Sequence, residues 1–484
     1  MKFLGLRIDD HDSNVTYTDG KKVKYCATER LYGIKHHGWD NIWQWEDVLN
    51  KWDIKVEDLD AIAIITDDIN FEEGESYREL DMGFPCRTFA VDHHYAHHLS
   101  IWPVGEVPHT GYVYDGYGND NHSFSLIQGE KVSITHDAEE YGSIGTEMAN
   151  VGIQVGLKAD PQGLDLAGKV MGLAAYGLID KEYYEKISQH GFVDIKRIWN
   201  YKSWTRKWDN DFDINWLRTV HEYTGDQLAL FLSHPVGGDD IIGYSGGVAQ
   251  NCNFNGKIRK TGQGVLIPPH ANDCGLSLGA VEFLRRRFHE EPFSNEGFPF
   301  WQDDEAPEEE PDDSTIEKAA ISLRDGRILA WYQGHGEIGP RALGHRSILM
   351  SARNRRAKLH LNRDVKHREH FRPFGAAVLK EDTSKYFDYD GDSPYMNTSV
   401  PVLDEGLSSV THVDGSCRIQ TVDGDDSFAR LLRKYKEMTG DSVILNTSLN
   451  ISGSPIASRI WEAKEMFSKK GINTMVIGNN LFDK

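Results

Sequence analysis

Four histidines lie within six residues of the chain, in the stretch VDHHYAHHLS at positions 91–100. On a helix, residues four apart share a face, so the stretch offers two pairs, His93 with His97 and His94 with His98. Two imidazoles on one helix face are an established geometry for holding a metal ion. The alternative is a polar helix end with solvated histidines. Spacing does not choose between the pairs, and either pair supplies only half of a metal site.

Carboxylates elsewhere in the chain could complete such a site. Asp115 directly follows an apolar strand, and Asp273 opens what looks like a helix within PPHANDCGLSLGA. Two imidazoles, two carboxylates and phosphate oxygens suit a borderline divalent ion such as iron, manganese or zinc, with magnesium as a further candidate. Either aspartate alone could instead cap a helix or form an Asx turn.

Several buried apolar strands end in loops rich in Gly, Asp and Asn, notably within 61–67, 111–120 and 241–251. In α/β folds, ligands bind at the carboxyl ends of strands, where glycines let backbone amides approach phosphate oxygens. The pattern therefore predicts an α/β fold with a nucleotide-phosphate cleft. The candidate nucleotide-binding residues are Gly116, Gly118, Gly246, Gly247 and Asn251.

A second region, residues 326–379, is rich in Arg and Lys although the chain as a whole is acidic. Its cations are separated by Gly, Pro and apolar residues, which indicates a shaped pocket more than a solvated helix. The planar guanidinium of arginine suits bidentate contact with phosphate. Surface ion pairs are the alternative. The cations are Arg341, Arg346, Lys366, Arg368 and Arg372.

Length and net charge indicate the number of domains and the kinds of partner that the chain can bind. The 484 residues predict two or three domains, and the formal net charge of −22 disfavours polyanions. The acidic run DDEAPEEEPDD at 303–313 predicts a solvated linker between domains at 1–302 and 314–484. We find no apolar run long enough for a membrane span and no signal peptide, and five scattered cysteines suit free thiols. We therefore expect a cytoplasmic protein without membrane association, either monomer or homodimer.

The motifs resemble, in order, those of one known family. HHYAH, YDGYG, KVMGLAAYG, SGGVAQN and PPHANDCGLSLGA, followed by GPRALGHRS, VKHREHFRPF, HVDGSCRIQTV and LNTSLNISGSPI, resemble the ATP-dependent O-carbamoyltransferases. This family includes the nodulation-factor and antibiotic carbamoyltransferases. The resemblance implies an actin-like ATPase (Kae1-like) N-terminal domain and an α/β YrdC-like C-terminal domain. One departure is Ser452, where the family commonly carries a basic residue.

The resemblance also implies a reaction in two steps. Carbamoyl phosphate and ATP give carbamoyladenylate, and an acceptor hydroxyl then takes the carbamoyl group. By this resemblance His94 and His98 lie outside the ligand set, behind the ligands or in solvent. The implied metal ligands are His93, His97, Asp115 and Asp273, and the implied carbamoyl-phosphate-binding residues are Arg341, Lys366, Arg372 and Arg418.

The transfer step needs a general base beside the acceptor hydroxyl and a cation beside the developing oxyanion. Loops that face the expected cleft carry His11, Asp12, Lys35 and Asp165. We predict His11 as the base, Asp165 as the residue that orients the acceptor, and Lys35 as a third catalytic residue. The alternative is that His11 and Asp12 only hold the first hairpin.

The acceptor is predicted to be either a small-molecule or sugar hydroxyl or, as in viral members of the family, 5-hydroxymethylcytosine in DNA. The DNA alternative rests on IKRIWNYKSWTRKW at 195–208, because aromatic rings beside Lys and Arg can stack on bases. The same stretch could be an amphipathic element with inward tryptophans. Two other classes remain, a carbamoyl-transfer maturation factor of the hydrogenase type and a non-catalytic actin-like ATP-binding protein. Maturation factors of the hydrogenase type carry an acylphosphatase domain and CxxC zinc fingers, and neither is found in this sequence. A non-catalytic ATP-binding protein would not explain the basic region.

Overall fold

The computed structural model of the protein describes residues 1–39, 43–160, 162–189, 191–192, 194–200, 211–469 and 471–484. They form two units, Met1–Trp301 and Gln302–Lys484, and each combines sheets with helices, so the α/β prediction is confirmed. Among these residues, no helix has both the length and the apolar character needed to cross a bilayer.

The first unit contains two sheets. Its strands are β1 Phe3–Arg7, β2 Asn14–Thr18, β3 Val23–Ala27, β4 Ala61–Ile65, β5 Tyr77–Leu80, β6 Arg87–Val91, β7 Thr110–Tyr114, β8 His122–Gln128, β9 Lys131–Asp137, β10 Ile241–Ser245 and β11 Gly264–Leu266. Its helices are α1 Thr28–Tyr32, α2 Trp45–Lys51, α3 His93–Leu99, α4 Ala138–Tyr141, α5 Ile144–Gln154, α6 Leu166–Ala174, α7 Lys181–Ser188, α8 Ile195–Trp199, α9 Asp211–Leu232, α10 Cys252–Lys260 and α11 Leu276–Arg287.

The two sheets repeat one topology. The first has the order β3-β2-β1-β4-β6-β5, and the second has the order β11-β10-β7-β8-β9. In each, a leading strand pairs antiparallel with the next strand of a meander and parallel with a later strand on its other side. Such an internal duplication is the architecture that the actin-like prediction requires, and that part of the fold prediction is confirmed.

Alternation along β1 and β4 gives the first sheet two different faces. Ala61, Ala63 and Ile65 pack toward α3 and α11, whereas Ile62 and Ile64 pack toward α2. Both strands are buried along their whole length. Because successive side chains of a strand point to opposite faces, the loops at the carboxyl ends of β1 and β4 can serve a site on either side.

The second unit is built on one mixed sheet, in the order β15-β16-β14-β17-β13-β12-β18-β19. Its likeness to the YrdC-like fold stays a prediction. The strands are β12 Leu329–Tyr332, β13 Arg346–Ser351, β14 Gly375–Leu379, β15 Thr398–Pro401, β16 Ser416–Val422, β17 Val443–Ser448, β18 Thr474–Ile477 and β19 Asn480–Asp483. The helices are α12 Asp313–Arg324, α13 Ala357–His360, α14 Thr383–Tyr386, α15 Ser427–Thr439 and α16 Ile460–Lys469.

The acidic stretch 303–313 corrects one prediction, because its first part is not a solvated linker. The side chain of Asp304 is fully buried and forms an ion pair of 2.9 Å with Arg346, and the Glu305 amide donates to Ser458 O. Arg346 also lies 3.7 Å from the ring centroid of Tyr332. Arg346, one of the cations noted in the sequence, therefore stabilises the fold of the second unit.

Candidate functional site

The predicted ligands come together at the carboxyl ends of strands in the first unit. His93 opens α3 and His97 lies one turn later, while the Asp92 side chain caps the helix by accepting from the Tyr95 amide. Asp115 directly follows β7, and Asp273 begins the short turn that leads into α11. Helix α11 approaches α3 closely because residue 279 is glycine; a Cβ there would collide with the backbone of Ala96. This contact holds Asp273 beside the histidines.

The four side chains form one buried cluster whose ligand atoms all lie within 4.8 Å of one another. The shortest distance joins His97 Nε2 to Asp115 Oδ2 at 2.7 Å, and the two Nε2 atoms of His93 and His97 lie 3.1 Å apart. Asp273 Oδ1 lies 3.6 Å from His93 Nε2 and 3.5 Å from His97 Nε2. The cluster can therefore hold a metal ion.

A second ring of side chains orients the cluster. Asp67 Oδ1 lies 2.8 Å from His93 Nδ1, so it can accept that N–H and leave Nε2 as the ligand atom. Arg7 is fully buried and pairs with Asp67 at 3.1 Å, with Asp273 at 3.0 Å and with Asp9 at 2.8 Å. Neither Arg7 nor Asp67 was among the predicted site residues.

Electrostatics favour ionised carboxylates in the cluster. Burial opposes the charge on Asp273, but His93 and Arg7 outweigh it and hold the pKa of Asp273 well below its ordinary value. Burial likewise disfavours the imidazolium of His93, yet Asp67 and Asp273 raise its pKa. Asp115 Oδ2 is buried and, among the described residues, accepts no hydrogen bond of regular geometry. Two nitrogens and two carboxylates in this arrangement fit iron, manganese or zinc.

The other two histidines of α3 are buried, so the solvent alternative for them is wrong. His94 Nδ1 lies 2.7 Å from Ser125 Oγ, and His98 lies where residue 111 must be glycine to leave room for its ring. Burial lowers the pKa of each imidazole to about 3. Both rings are therefore neutral packing groups behind the cluster.

The predicted nucleotide loops meet the cluster in part. Gly246 has a φ of 88°, and the next residue, Gly247, lies so close that a Cβ would come 3.0 Å from Asp115 Oδ1. Gly116 follows Asp115 and donates its amide to Asp115 Oδ1 at 2.6 Å. Gly118 instead makes room for the ring of His94.

Asn251 has a structural role that the loop pattern did not reveal. Its Oδ1 caps α10 by accepting from the amides of Asn253 and Phe254, and its Nδ2 lies 3.1 Å from His221 Nε2. Since both ends of the amide are engaged, the prediction that Asn251 binds nucleotide is not supported by its contacts.

The predicted catalytic residues His11 and Lys35 belong to one polar network. His11 Nδ1 lies 3.6 Å from Asp12 Oδ2, and the other oxygen of Asp12 lies 2.9 Å from His36 Nδ1. Asp160 Oδ2 continues the network to His36 Nε2 at 3.4 Å and to Lys35 Nζ at 3.3 Å. Neither His36 nor Asp160 was among the site residues predicted from the sequence. The stretch KHH at 35–37 was a signal for His36 alone.

Asp165 borders this network but has partners of its own. Its carboxylate pairs with Lys169 at 2.7 Å and accepts from the Asp160 amide at 3.1 Å. These contacts fix the loop that presents Asp160. The contacts of Asp165 therefore do not support the prediction that it orients the acceptor, because its carboxylate is already bound to these partners. They indicate that Asp165 supports the loop.

The basic residues of the second unit also converge. Lys366 ends a π-helical turn and donates Nζ to Ser448 O at 2.7 Å and to Asn450 Oδ1 at 2.5 Å. Burial of the ammonium group lowers the pKa of Lys366 well below its ordinary value, and the nearby positive charges of Arg368 and Arg372 add to this effect. Burial together with Arg372, Arg418 and Arg341 likewise lowers the pKa of Arg368. A bound anion would relieve this mutual repulsion.

The basic aromatic stretch 195–208 lies only partly within the described residues, since residues 201–210 fall outside them. Trp199 is 2% exposed, donates Nε1 to Thr224 Oγ1 at 3.2 Å and packs edge-on against Trp216. Trp199 is therefore a core residue and does not offer a stacking surface. Tyr201, Trp204 and Trp208 lie outside the described residues.

Replacing Asp67 with Asn should weaken metal binding by about 10- to 100-fold, because His93 would lose the carboxylate that accepts its Nδ1–H. The dissociation constant for Zn²⁺, measured against a chromophoric chelator, checks this. Asp68→Asn, an exposed neighbour, is the matched control and should bind like the unmodified protein. Equal affinity in Asp67→Asn would show that Asp67 does not orient the ligand.

Comparisons with known proteins find one matching family model and several similar curated proteins. Residues 320–484 match the family model described as Carbamoyltransferase C-terminus. The chain is 34% identical over 269 residues to nodulation protein NolNO of Sinorhizobium fredii, covering 50% of this chain and 40% of that protein. It is 31% identical over 361 residues to NolO of Bradyrhizobium diazoefficiens, covering 65% of each.

A third relative is the 3'-hydroxymethylcephem-O-carbamoyltransferase of Streptomyces clavuligerus. It is 35% identical over 249 residues, which cover 49% of this chain and 48% of that protein. The chain thus spans about half the length of the curated relatives it matches. These matches make it a homologue of carbamoyltransferases, which are enzymes.

Proposed function

We propose that this homologue of the carbamoyltransferases is an ATP-dependent O-carbamoyltransferase. The observation that carries the proposal is the group of converging cations in the second unit, Arg341, Lys366, Arg368, Arg372 and Arg418. All of them lie within the residues that match the family model. A protein that only bound ATP in an actin-like first unit would leave this group in the second unit unexplained.

The first step belongs to the second unit. Carbamoyl phosphate loses its phosphate to water, and an oxygen of the resulting carbamate attacks the α-phosphorus of ATP. The bond to the β-phosphate breaks, so carbamoyladenylate forms and pyrophosphate leaves. Arg341, Lys366, Arg372 and Arg418 hold carbamoyl phosphate and neutralise its charge, because guanidinium and ammonium groups bind phosphate oxygens strongly.

The second step belongs to the first unit. The acceptor oxygen attacks the carbamoyl carbon, the bond from that carbon to the AMP oxygen breaks, and AMP leaves. His11 Nε2 takes the hydroxyl proton, while Asp12 beside Nδ1 orients the ring. His36 and Lys35 hold this arrangement through Asp12 and Asp160.

The cluster of His93, His97, Asp115 and Asp273 would hold the divalent ion, which when bound supplies positive charge for phosphate oxygens and for the developing oxyanion. Gly116 and Gly247 lie beside Asp115, where the lack of side chains leaves space for nucleotide phosphates, whereas Gly246 packs against the backbone of Tyr114. The chain's own contribution is to keep these ligands preoriented through Arg7 and Asp67.

For the acceptor we propose the hydroxyl of a small molecule. The alternative, the hydroxymethyl group of 5-hydroxymethylcytosine in DNA, rested on 195–208, and the part of that stretch within the described residues supplies Trp199 to the core. The net charge of −22 also disfavours a polyanion.

The proposal is tested by incubating the protein with ATP, carbamoyl phosphate and a panel of hydroxyl compounds. Mass spectrometry should detect the gain of one carbamoyl group on an acceptor, together with AMP. Separately, carbamoyl phosphate should make the protein exchange labelled pyrophosphate into ATP. Absence of that exchange in the metal-loaded protein would overturn the proposal.

The rate of transfer should depend on pH through His11. Burial lowers the pKa of His11, but Asp12 and Asp273 outweigh it and raise that pKa to about 9. Only the neutral imidazole accepts a proton, so the rate should rise by about tenfold per pH unit up to pH 9 and then level off. His11→Asn should remove this dependence and slow transfer by about 10²–10⁴-fold. If His11 only holds the hairpin, the variant will lose stability but keep the profile.

A further inference from the structure

In the second unit, the loop that carries Arg341 is held at its amides by one buried carboxylate. Glu337 is 1% exposed, and its Oε1 accepts from the amides of Leu343 at 2.7 Å, His345 at 2.9 Å and Arg346 at 3.0 Å. Burial opposes the charge on Glu337, but His345, Arg346 and these amides outweigh it and lower its pKa. The carboxylate is therefore ionised, and its hydrogen bonds to the loop are stronger than those of a neutral acceptor.

The carbonyls of the same loop are held from the sheet. Gln420, on β16, donates Nε2 to Leu343 O at 2.6 Å. Asn446, on β17, donates Nδ2 to Gln420 Oε1 at 2.9 Å and to Ala342 O at 3.3 Å. Both side chains are buried. The two residues that follow Arg341 are thus fixed on both sides of the chain.

These contacts also determine which way the two side-chain amides face. A carbonyl oxygen only accepts hydrogen bonds, so the Gln420 group that contacts Leu343 O must be the NH₂. The oxygen of Gln420 then faces Asn446, whose own NH₂ must donate to it. The hydrogen bonds therefore run in one direction, from Asn446 through Gln420 to the loop. Methionine at position 420 would fill similar space and break both bonds.

Strand spacing connects this network to the cations of the proposed anion site. Residues two apart on a strand share a face. Arg418 lies two positions before the glutamine on β16, and Ser448 lies two positions after the asparagine on β17. Ser448 O accepts from Lys366 Nζ at 2.7 Å. The network therefore joins the three segments that hold Arg341, Arg418 and Lys366.

The opposite end of the same sheet face belongs to the core. Val422, further along β16, and Ile444, earlier on β17, pack in one apolar cluster with Ile316 of α12 and Phe428 of α15. The two strands run in opposite directions, since β14 pairs parallel with β16 and antiparallel with β17. Their polar residues therefore meet at one end of the face, away from the covering helices.

The cations at this end repel one another. After the larger effect of burial, the positive charges of Arg372, Arg418 and Arg341 lower the pKa of Arg368. Like charges would drive a loosely held loop, and Arg341 with it, away from the other cations. Hydrogen bonds to both the amides and the carbonyls of the loop oppose that movement.

We propose that Glu337, Gln420 and Asn446 are positioning residues that hold Arg341 beside the other cations before carbamoyl phosphate binds. They act through the backbone of the loop. Because the site is already ordered, less free energy is lost in ordering it when the substrate binds. The inference rests on the proposed function for the identity of the anion, but binding can be measured without turnover.

The test is calorimetric titration of the full chain with carbamoyl phosphate in the absence of ATP. Gln420→Met should weaken binding by about tenfold, within the range of coupling between residues of one hydrogen-bond network. Gln333→Met is the matched control, because Gln333 is a glutamine of the same unit, is 2% exposed and donates Nε2 to Gly478 O at 3.2 Å. The control should bind carbamoyl phosphate like the unmodified protein. Thermal unfolding midpoints are measured for both variants.

A double-variant cycle separates positioning from a general loss of stability. With Arg341→Ala already present, Gln420→Met should weaken carbamoyl-phosphate binding no further, because the residue that it positions is gone. Glu337→Gln replaces the ionised acceptor with a neutral one of the same shape. It should also weaken binding only while Arg341 is present, and it provides the test if Gln420→Met does not fold.

Four results would overturn the inference. The unmodified protein does not bind carbamoyl phosphate, the variants at 420 and 337 bind it like the unmodified protein, Gln333→Met weakens binding as much as Gln420→Met, or the effect of Gln420→Met is the same with and without Arg341.

Pyrophosphate exchange by the unmodified protein separates this inference from the proposed function. Exchange together with unchanged carbamoyl-phosphate binding in Gln420→Met overturns the positioning role and leaves the proposed function intact. Weaker binding in Gln420→Met, without exchange in the unmodified protein, supports the positioning role and overturns the proposed function.

Discussion

Lys366→Met is expected to lower carbamoyl-phosphate-dependent exchange of pyrophosphate into ATP by about 10²–10³-fold, the usual effect of removing one preoriented group that stabilises charge at a reacting centre. Lys366 is 2% exposed, and three oxygens of Ser448 and Asn450 fix its Nζ. Burial and the neighbouring Arg368 and Arg372 lower its pKa. A bound phosphate offsets that repulsion, so the charged ammonium is most favoured when the substrate is present.

The Met side chain keeps an unbranched apolar stem one atom shorter than that of lysine and removes the ammonium group with its charge and its hydrogen bonds to Ser448 and Asn450. Lys380→Met is the matched control, because Lys380 pairs with Asp392 at 2.9 Å at the surface of the same unit. The exchange rate and the thermal unfolding midpoint are measured for both variants. Unchanged exchange in Lys366→Met, with the fold intact, would remove Lys366 from the carbamoyl-phosphate site.

The first sheet of the first unit was predictable in part because β1 and β4 are short, nearly continuous runs of apolar residues. FLGLRI and AIAIITD correspond to β1 and β4, and the Asp19–Gly20 turn joins β2 to β3. The duplication was not visible as a sequence repeat, since it is a repeat of strand order and direction. Only pairing partners reveal it, and those depend on contacts between distant parts of the chain.

The metal cluster shows how much of a site can be predicted from the sequence alone. Two equivalent pairs of histidines satisfied the helical spacing, and resemblance to a family chose His93 and His97. The structure supplies a physical reason for that choice, because the carboxylates of Asp115 and Asp273 lie on their face of α3. His94 and His98 face the packed strands instead, where burial keeps them neutral.

Residues with ordinary local patterns were harder to assign. Asn251 follows SGGVAQ and looked like a ligand for nucleotide, yet it caps α10. His36 and Asp160 carried no recognisable motif, although they connect His11 and Asp12 to Lys35 across distant loops. Polar residues at strand ends serve caps, networks and ligands alike, so their partners in space decide among these roles.

Asp115→Asn is expected to remove metal binding and acceptor carbamoylation while leaving the pyrophosphate exchange of the second unit active. Asp115 Oδ2 lies 2.7 Å from His97 Nε2, closer than Asp273 Oδ1 at 3.5 Å, and both oxygens lie 3.6 Å from His93 Nε2. A neutral amide oxygen is a much weaker ligand than a carboxylate. The loss of metal affinity should therefore be larger than about 10- to 100-fold, which is the effect expected when a residue that only orients a ligand is replaced.

The variant also separates the two half-reactions, because carbamoyladenylate formation depends on the cations around Lys366 and transfer depends on the cluster in the first unit. Bound metal is measured by elemental analysis, transfer by mass spectrometry, and exchange with labelled pyrophosphate. Asp120→Asn, in the loop that follows Asp115, serves as the control and should keep all three properties. Full metal content in Asp115→Asn would place the ion elsewhere, and loss of exchange together with transfer would contradict the division of labour between the two units.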